Sequence, residues 1–123
     1  MSETSKRFLL NITERQKEDV SILDLEGNVI MGGGSALLRE TIRRLVGQGK
    51  NRILLNFGEV KYLDSSGIGE LMASLVSLNR QGGQLGFCNL TERVTEVMEL
   101  SSLISIFEIF DSEDAALKGF EEY

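Results

Sequence analysis

Two short strand-like runs joined by a polar turn, then segments that alternate between helical and strand periodicity, restrict this chain to few folds. Phe8–Arg15 partly alternates apolar and polar residues and reads as a strand. Lys17-Glu18-Asp19 supplies the turn, and Val20–Leu25 alternates at most steps, which makes the pair an antiparallel hairpin. Gly27-Asn28 can end or turn the second strand, with Val29-Ile30-Met31 as a brief extension. Gly32-Gly33-Gly34 breaks the pattern, and Ser35 is a candidate N-cap. From there Leu37, Leu38, Ile42, Leu45 and Val46 share one helical face, opposite Arg39, Glu40, Arg43 and Arg44. Gly47 and Gly49 suit the end of that helix.

The second half repeats the alternation. Arg52–Phe57 reads as a buried central strand, Gly58-Glu59 as a short polar connection, and Val60–Leu63 as the lead into Asp64-Ser65-Ser66-Gly67-Ile68-Gly69. A helix starts near Ile68, turns Ile68, Leu71, Met72, Leu75 and Val76 inward, and ends near Gly82-Gly83. Gln84–Asn89 is a further strand. Thr91 is a plausible cap for a helix with Val94, Val97 and Met98 inward. Ile104–Phe110 reads as a last strand, and Asp111 can cap a final helix from Ser112 to about Tyr123, packing Ala116, Leu117 and Phe120. The order β-β-α-β-α-β-α-β-α predicts a single α/β domain over residues 1–123, with its core at about 8–120. Its sheet should be mixed and mostly parallel, with an N-terminal antiparallel hairpin and about four helices.

Composition narrows the chemistry. Lys+Arg 13 against Asp+Glu 19 gives a net charge of −6, with the basic residues scattered, which argues against a nucleic-acid partner. The chain contains no His, which removes the commonest general base and metal ligand. The one cysteine, Cys88, lies in the apolar run Leu85–Cys88 and reads as a small buried hydrophobe. No apolar run reaches the length of a membrane span, Met1–Arg7 has no apolar signal region behind it, and a cytoplasmic setting is expected.

Gly32–Ser35 lacks the P-loop signature, because Ala36-Leu37-Leu38 stands where Lys and Ser or Thr are needed, and it reads as a flexible loop into a helix whose exposed amides could still meet a partner. A Mg²⁺-binding receiver site fails too, because neither strand of the hairpin ends in an acidic pair. Asp64–Gly69 is more informative. It places two hydroxyls at a strand-to-helix junction, where the first helical N–H groups lack intrahelical partners and favour negative charge. A serine there can cap the helix, act as a nucleophile, or accept a phosphoryl group. Neither serine has an acid three residues on, so no capping box forms. A nucleophile lacks its histidine, and the Gly-x-Ser-x-Gly order is missing. A phosphate would add about −1.5 to −2 charges at one point and repel a partner docked on neutral serines. Asp64 can form the turn or cap, and Gly67 and Gly69 read as backbone requirements.

Tyr62-Leu63-Asp64-Ser65-Ser66-Gly67-Ile68-Gly69 resembles the phosphorylation motif of the anti-sigma factor antagonists, the bacterial STAS domains. Leu25-Glu26-Gly27, Ile53–Phe57, Gln81-Gly82-Gly83 and Phe107–Phe110 before an acidic terminal helix extend the resemblance from about Phe8 to Phe120. The resemblance implies a non-enzymatic phosphoprotein of signal transduction that works by partner switching in transcription regulation. The unphosphorylated form would bind an anti-sigma factor that is also a serine kinase of the histidine-kinase-like ATPase fold, freeing the sigma factor. Phosphorylation of Ser65, or less readily Ser66, would release the complex, and a metal-dependent serine phosphatase would reverse it. Asp64, Ser65, Ser66, Gly67, Ile68, Gly69, Gly27 and Asn28 would meet the partner. No cofactor or metal would be held by this chain, since ATP and Mg²⁺ belong to the kinase. The chain departs from the family after Gly27, where Asn28-Val29-Ile30-Met31 and three glycines replace a Glu-Leu-Asp type segment. Two other readings are a nucleotide-binding sensor that uses the Gly32–Ser35 and Asp64–Gly69 amides, and a scaffold subunit of a stress-signalling complex.

Overall fold

The computed structural model describes residues 9–121. Phe8, the expected start of the first strand, and Tyr123, the expected end of the last helix, lie outside the described residues. Strand β1 (Leu10–Lys17) and strand β2 (Val20–Val29) form the antiparallel hairpin, in register from Leu10 opposite Gly27 to Lys17 opposite Val20. The turn is tighter than the sequence suggests. Lys17 stays in the strand, and Glu18 takes a positive φ of 56°. Strand β3 (Arg52–Leu63), strand β4 (Gln84–Cys88) and strand β5 (Glu108–Phe110) add in parallel, giving the sheet order β1-β2-β3-β4-β5. Helices α1 (Gly33–Gly47), α2 (Ser65–Arg80), α3 (Glu92–Leu100) and α4 (Glu113–Glu121) complete the expected element order.

The sheet is covered unequally. Leu23, Leu25, Leu38, Ile42, Leu45, Ile53, Leu55, Leu71, Leu85, Phe87, Val94 and Met98 form the main core, between one face of the sheet and α1, α2 and α3. On the other face Ile22, Leu54 and Cys88 pack with Ala116 and Phe120 of α4. Ile53-Leu54-Leu55 is therefore buried at every residue, as a central strand covered on both faces must be. Cys88 is fully buried, and that burial pushes its thiol up to about 11.

Several local expectations change. Gly58-Glu59 is no connection: β3 runs through it as a strand of 12 residues. Between Asp24 and Glu26 of β2, β3 advances from Asn56 to Glu59, so it carries one extra residue there. The Asn56 side chain stabilises this bulge by accepting the Gly58 N–H at 3.0 Å and donating to Asp24 at 2.8 Å. A second shift near Gly27 brings Val29 opposite Leu63. Ser35 is no cap: α1 starts at Gly33 behind Gly32 (φ 98°), and Ser35 lies buried in its first turn. Leu37 and Val76 face outward, 37% and 45% exposed, because the inward stripes run through Leu38, Ile42 and Leu45 and through Leu71 and Leu78. The strand expected over Ile104–Phe110 shortens to Glu108–Phe110, since turns with Ser102 at φ 57° follow α3 and Phe107 drops into the core against Phe87. Ser112, not Asp111, accepts the Ala115 N–H at the start of α4.

One ion cluster ties the ends of the chain together. Arg15 on β1 donates Nε to Asp24 Oδ2 at 2.5 Å and Nη2 to Glu113 Oε1 of α4 at 2.6 Å. The Arg15 guanidinium holds both carboxyls below their ordinary values. A carboxyl depressed in the folded state stabilises the fold above its unfolded value and loses that contribution as pH falls through the folded one. The thermal midpoint is therefore expected to fall once pH drops through 4.5 and 3.8, the ordinary values of Glu113 and Asp24. Arg15→Met should flatten that part of the curve in a calorimetric pH series; parallel curves for the two proteins would show that the cluster does not link acid stability to the docking of α4.

Candidate functional site

Strands β2 and β3 end at the same level, with Val29 opposite Leu63, and each feeds directly into a helix. The N-terminal ends of α1 and α2 are therefore brought side by side. Asp64 joins them. Its extended backbone (φ −110°, ψ −175°) makes it the N-cap of α2, and its Oδ1 accepts the Gly67 N–H at 2.9 Å. Its Oδ2 accepts the Met31 N–H at 2.9 Å, in the loop before α1. The cap is thus the aspartate rather than either serine, and the same carboxylate fixes the β2–α1 loop to the motif.

The two serines have different surroundings. Ser65 is exposed, with no hydrogen-bond partner for its hydroxyl among the described residues. Ser66 is half-buried, and its Oγ lies 2.9 Å from Ser35 Oγ, a hydroxyl–hydroxyl hydrogen bond between the first turns of α2 and α1. Gly67 is buried against β2, where an added Cβ would stand 2.2 Å from the Val29 carbonyl oxygen. Gly34 meets the same limit in α1, with a Cβ 2.2 Å from the Asn28 carbonyl oxygen. Both helices approach the end of β2 through a glycine. Gly69 has open space where its Cβ would be, which corrects the idea that it is a backbone requirement.

The structure places the other expected partner residues unevenly. Ile68 is half-buried and Gly69 exposed, on the first turns of α2. Asn28 is buried inside β2 opposite Tyr62, and Gly27 is half-buried opposite Val60. Met31 does stand outward, 74% exposed, beside the amide that Asp64 holds. Tyr62 is also exposed, with the Arg93 guanidinium 4.9 Å from its ring centroid. Along α2 the outward residues Gly69, Ala73 and Val76 continue from Ser65. Sequence reasoning missed Met31, Tyr62 and Val76 as surface residues. The available signal was charge: between Ser65 and Asn79 the one charged residue is Glu70.

Glu70 turns toward α1, where Arg39 pairs with it at 3.5 Å and Ser74 lies at 3.5 Å. Burial nevertheless holds its carboxyl above the usual value, against the pull of Arg39 and Arg43. The anion site suggested by the two loops is partly filled by the chain itself, since the Asp64 carboxylate engages the Met31 and Gly67 amides. Among the described residues no helix is long and apolar enough to cross a membrane.

Residues 11–116 match the family model described as STAS domain. The chain is 28% identical over 112 residues to a candidate anti-sigma factor antagonist of Bordetella bronchiseptica, BtrV, covering 91% of this chain and 96% of the relative. It is 30% identical over 101 residues to the anti-sigma-B factor antagonist of Bacillus subtilis, covering 81% and 90%. The solved structure of the Bacillus anti-sigma factor antagonist SpoIIAA in its unphosphorylated form superposes with a TM-score of 0.77 at 20% identity, covering 92% and 98%. Its phosphorylated form superposes with a TM-score of 0.67, covering 88% and 98%.

The geometry has direct consequences for stability. Asp64→Ala removes a cap and the Met31 contact together, and should lower stability by about 1–2 kcal/mol in urea denaturation. A loss below the error of that measurement would show that the carboxylate does not fix the junction. The two glycines should respond in opposite ways. Gly67→Ala forces α2 off the end of β2 and should cost more than about 1 kcal/mol. Gly69→Ala meets nothing within 4 Å. It should leave stability unchanged or raise it by up to about 1 kcal/mol, through the better helix former.

Proposed function

Because the chain belongs to the STAS domain family, we propose that it is an anti-sigma factor antagonist switched by phosphorylation of Ser65. The observation that carries the reading is the contrast between the adjacent hydroxyls: Ser65 is exposed and Ser66 is tied to Ser35. The relatives named as anti-sigma factor antagonists supply the class of partner. In this reading the unphosphorylated chain docks an anti-sigma factor on the end of α2, and the sigma factor goes free. The partner is a serine kinase of the histidine-kinase-like ATPase fold, which brings ATP and Mg²⁺. A metal-dependent serine phosphatase restores the free hydroxyl. The chain is then a cytoplasmic regulator, with no reaction of its own.

The surface suits that role. Outward residues of α2 from Ser65 through Val76 carry no charge, and Met31 and Tyr62 add exposed apolar area beside them. A phosphate on Ser65 would place about −1.5 to −2 charges at the edge of this uncharged area, next to Asp64. The helix end favours the added charge by about 0.3–1 kcal/mol when exposed, so the fold tolerates it. The partner, built for a neutral hydroxyl, would have to bury an unpaired dianion.

The test is reconstitution with the kinase-fold partner from the same genome, ATP and Mg²⁺, with the phosphate mapped by peptide fragmentation. Phosphate is expected on Ser65. Ser65→Ala should stay unlabelled and keep the complex, and Ser65→Asp should weaken it at least about tenfold, the factor set by about 1.4 kcal/mol. No phosphate on either serine, or undiminished binding by Ser65→Asp, would overturn the proposal.

A further inference from the structure

We propose that Ser35 is a positioning residue that selects the acceptor: its hydroxyl holds that of Ser66 and leaves Ser65 as the one that takes the phosphate. The proposal rests on the phosphoswitch reading above and deepens it. A kinase that reaches the start of α2 meets two serines in succession, and nothing in their chemistry separates them. Their surroundings do.

Ser35 belongs to the Gly32–Ser35 segment, which has no phosphate-binding signature and does not cap α1. It is 7% exposed, and its backbone N–H donates to the Ile30 carbonyl at 3.0 Å. Gly34, just before it, sits against the Asn28 backbone with no room for a Cβ. Ser35 therefore has little freedom of position, and its hydroxyl is aimed across to α2, 2.9 Å from Ser66 Oγ. The Asp64 carboxylate fixes the same two segments at Met31 and Gly67.

Phosphoryl transfer makes demands that this bond opposes. The acceptor oxygen must form a bond to the γ-phosphorus of a nucleoside triphosphate. The bond from that phosphorus to the bridging oxygen breaks, and a nucleoside diphosphate leaves. The hydroxyl proton passes to a base on the kinase. An acceptor must therefore reach outward and release its proton away from the domain. For Ser66 to do so it must break the bond to Ser35 and leave a buried hydroxyl without a partner, which is costly. Ser65 has no such bond to break.

The test uses the whole chain with the kinase-fold partner, ATP and Mg²⁺, and maps the phosphate in the parent, Ser35→Ala, Ser65→Ala and the double variant. The parent should carry it on Ser65, and Ser65→Ala should stay almost unlabelled. Ser35→Ala should raise the share on Ser66 about tenfold, the factor that goes with losing one buried hydrogen bond. The double variant should regain label on Ser66. Ser35→Thr, which keeps the hydroxyl, should retain the preference for Ser65, an outcome that mere loss of packing would not give. A parent labelled on Ser65 with a double variant that stays unlabelled overturns the role of Ser35 alone. A parent without label on either serine overturns the phosphoswitch and this inference together. Proton NMR of the parent gives a check independent of any variant's folding: a slowly exchanging hydroxyl proton is expected at Ser35 or Ser66, and its absence would overturn the inference.

Discussion

The Asp64 carboxylate is the interaction on which the rest of the site depends. One oxygen caps α2 through Gly67, and the other holds the Met31 amide before α1. The first contact is local to the start of α2; the second could not form unless β2 and β3 ended together. Their common end depends on the two register shifts that let β3 carry extra residues beside β2. Parallel strands that feed two helices would otherwise leave two sets of free amides pointing at solvent. Here one acidic side chain engages an amide of each junction, and it does so within reach of the two serines. The same carboxylate occupies amides that a bound anion would need, which weighs against the nucleotide-sensor reading.

Around this junction the outward face of α2 is free of charge, with the Arg93 guanidinium lying beside it over the Tyr62 ring. The net charge is −6, yet the outward residues of α2 from Ser65 to Val76 are uncharged. Glu70, the one acid in that stretch, is turned to Arg39 on α1. The charged clusters lie elsewhere: Arg15 with Asp24 and Glu113 stitches β1, β2 and α4, and Arg44 with Glu14 stitches α1 to β1. The uncharged face is consistent with binding a partner that does not rely on charge, and it gives a new charge there its largest effect.

The sequence made the element order legible because each segment announces its own period. Thr91 is the clearest local success, since it accepts the Val94 N–H at 3.2 Å as a cap should. The errors lie where a distant segment decides. Gly58-Glu59 has the composition of a loop, and becomes strand because β2 continues beside it. Ser35 has the residue type of a cap, and is buried because α2 arrives with a hydroxyl of its own. Ile104–Phe110 alternates like a strand, but its first residues are used in turning the chain after α3. Asp64 reads from sequence as a turn or cap former, and the geometry makes it the cap through one oxygen while the other reaches the loop before α1. The serines could not be told apart from sequence by any rule of spacing. Their difference is made by residue 35, thirty-one positions away from Ser66 in the chain.

That separation bears on how a phosphate could act. A modification that worked by unfolding the junction would have to dislodge Asp64 from two amides, and the exposed Ser65 hydroxyl is bonded to neither. A modification that worked by charge needs only an exposed oxygen on a neutral face, which Ser65 provides. The first turn of α2 has room to keep its cap while its surface changes sign. On this geometry the fold and the switch use neighbouring residues for separate tasks: Asp64, Ser66 and Gly67 hold the junction, and Ser65 is left with no structural task to lose.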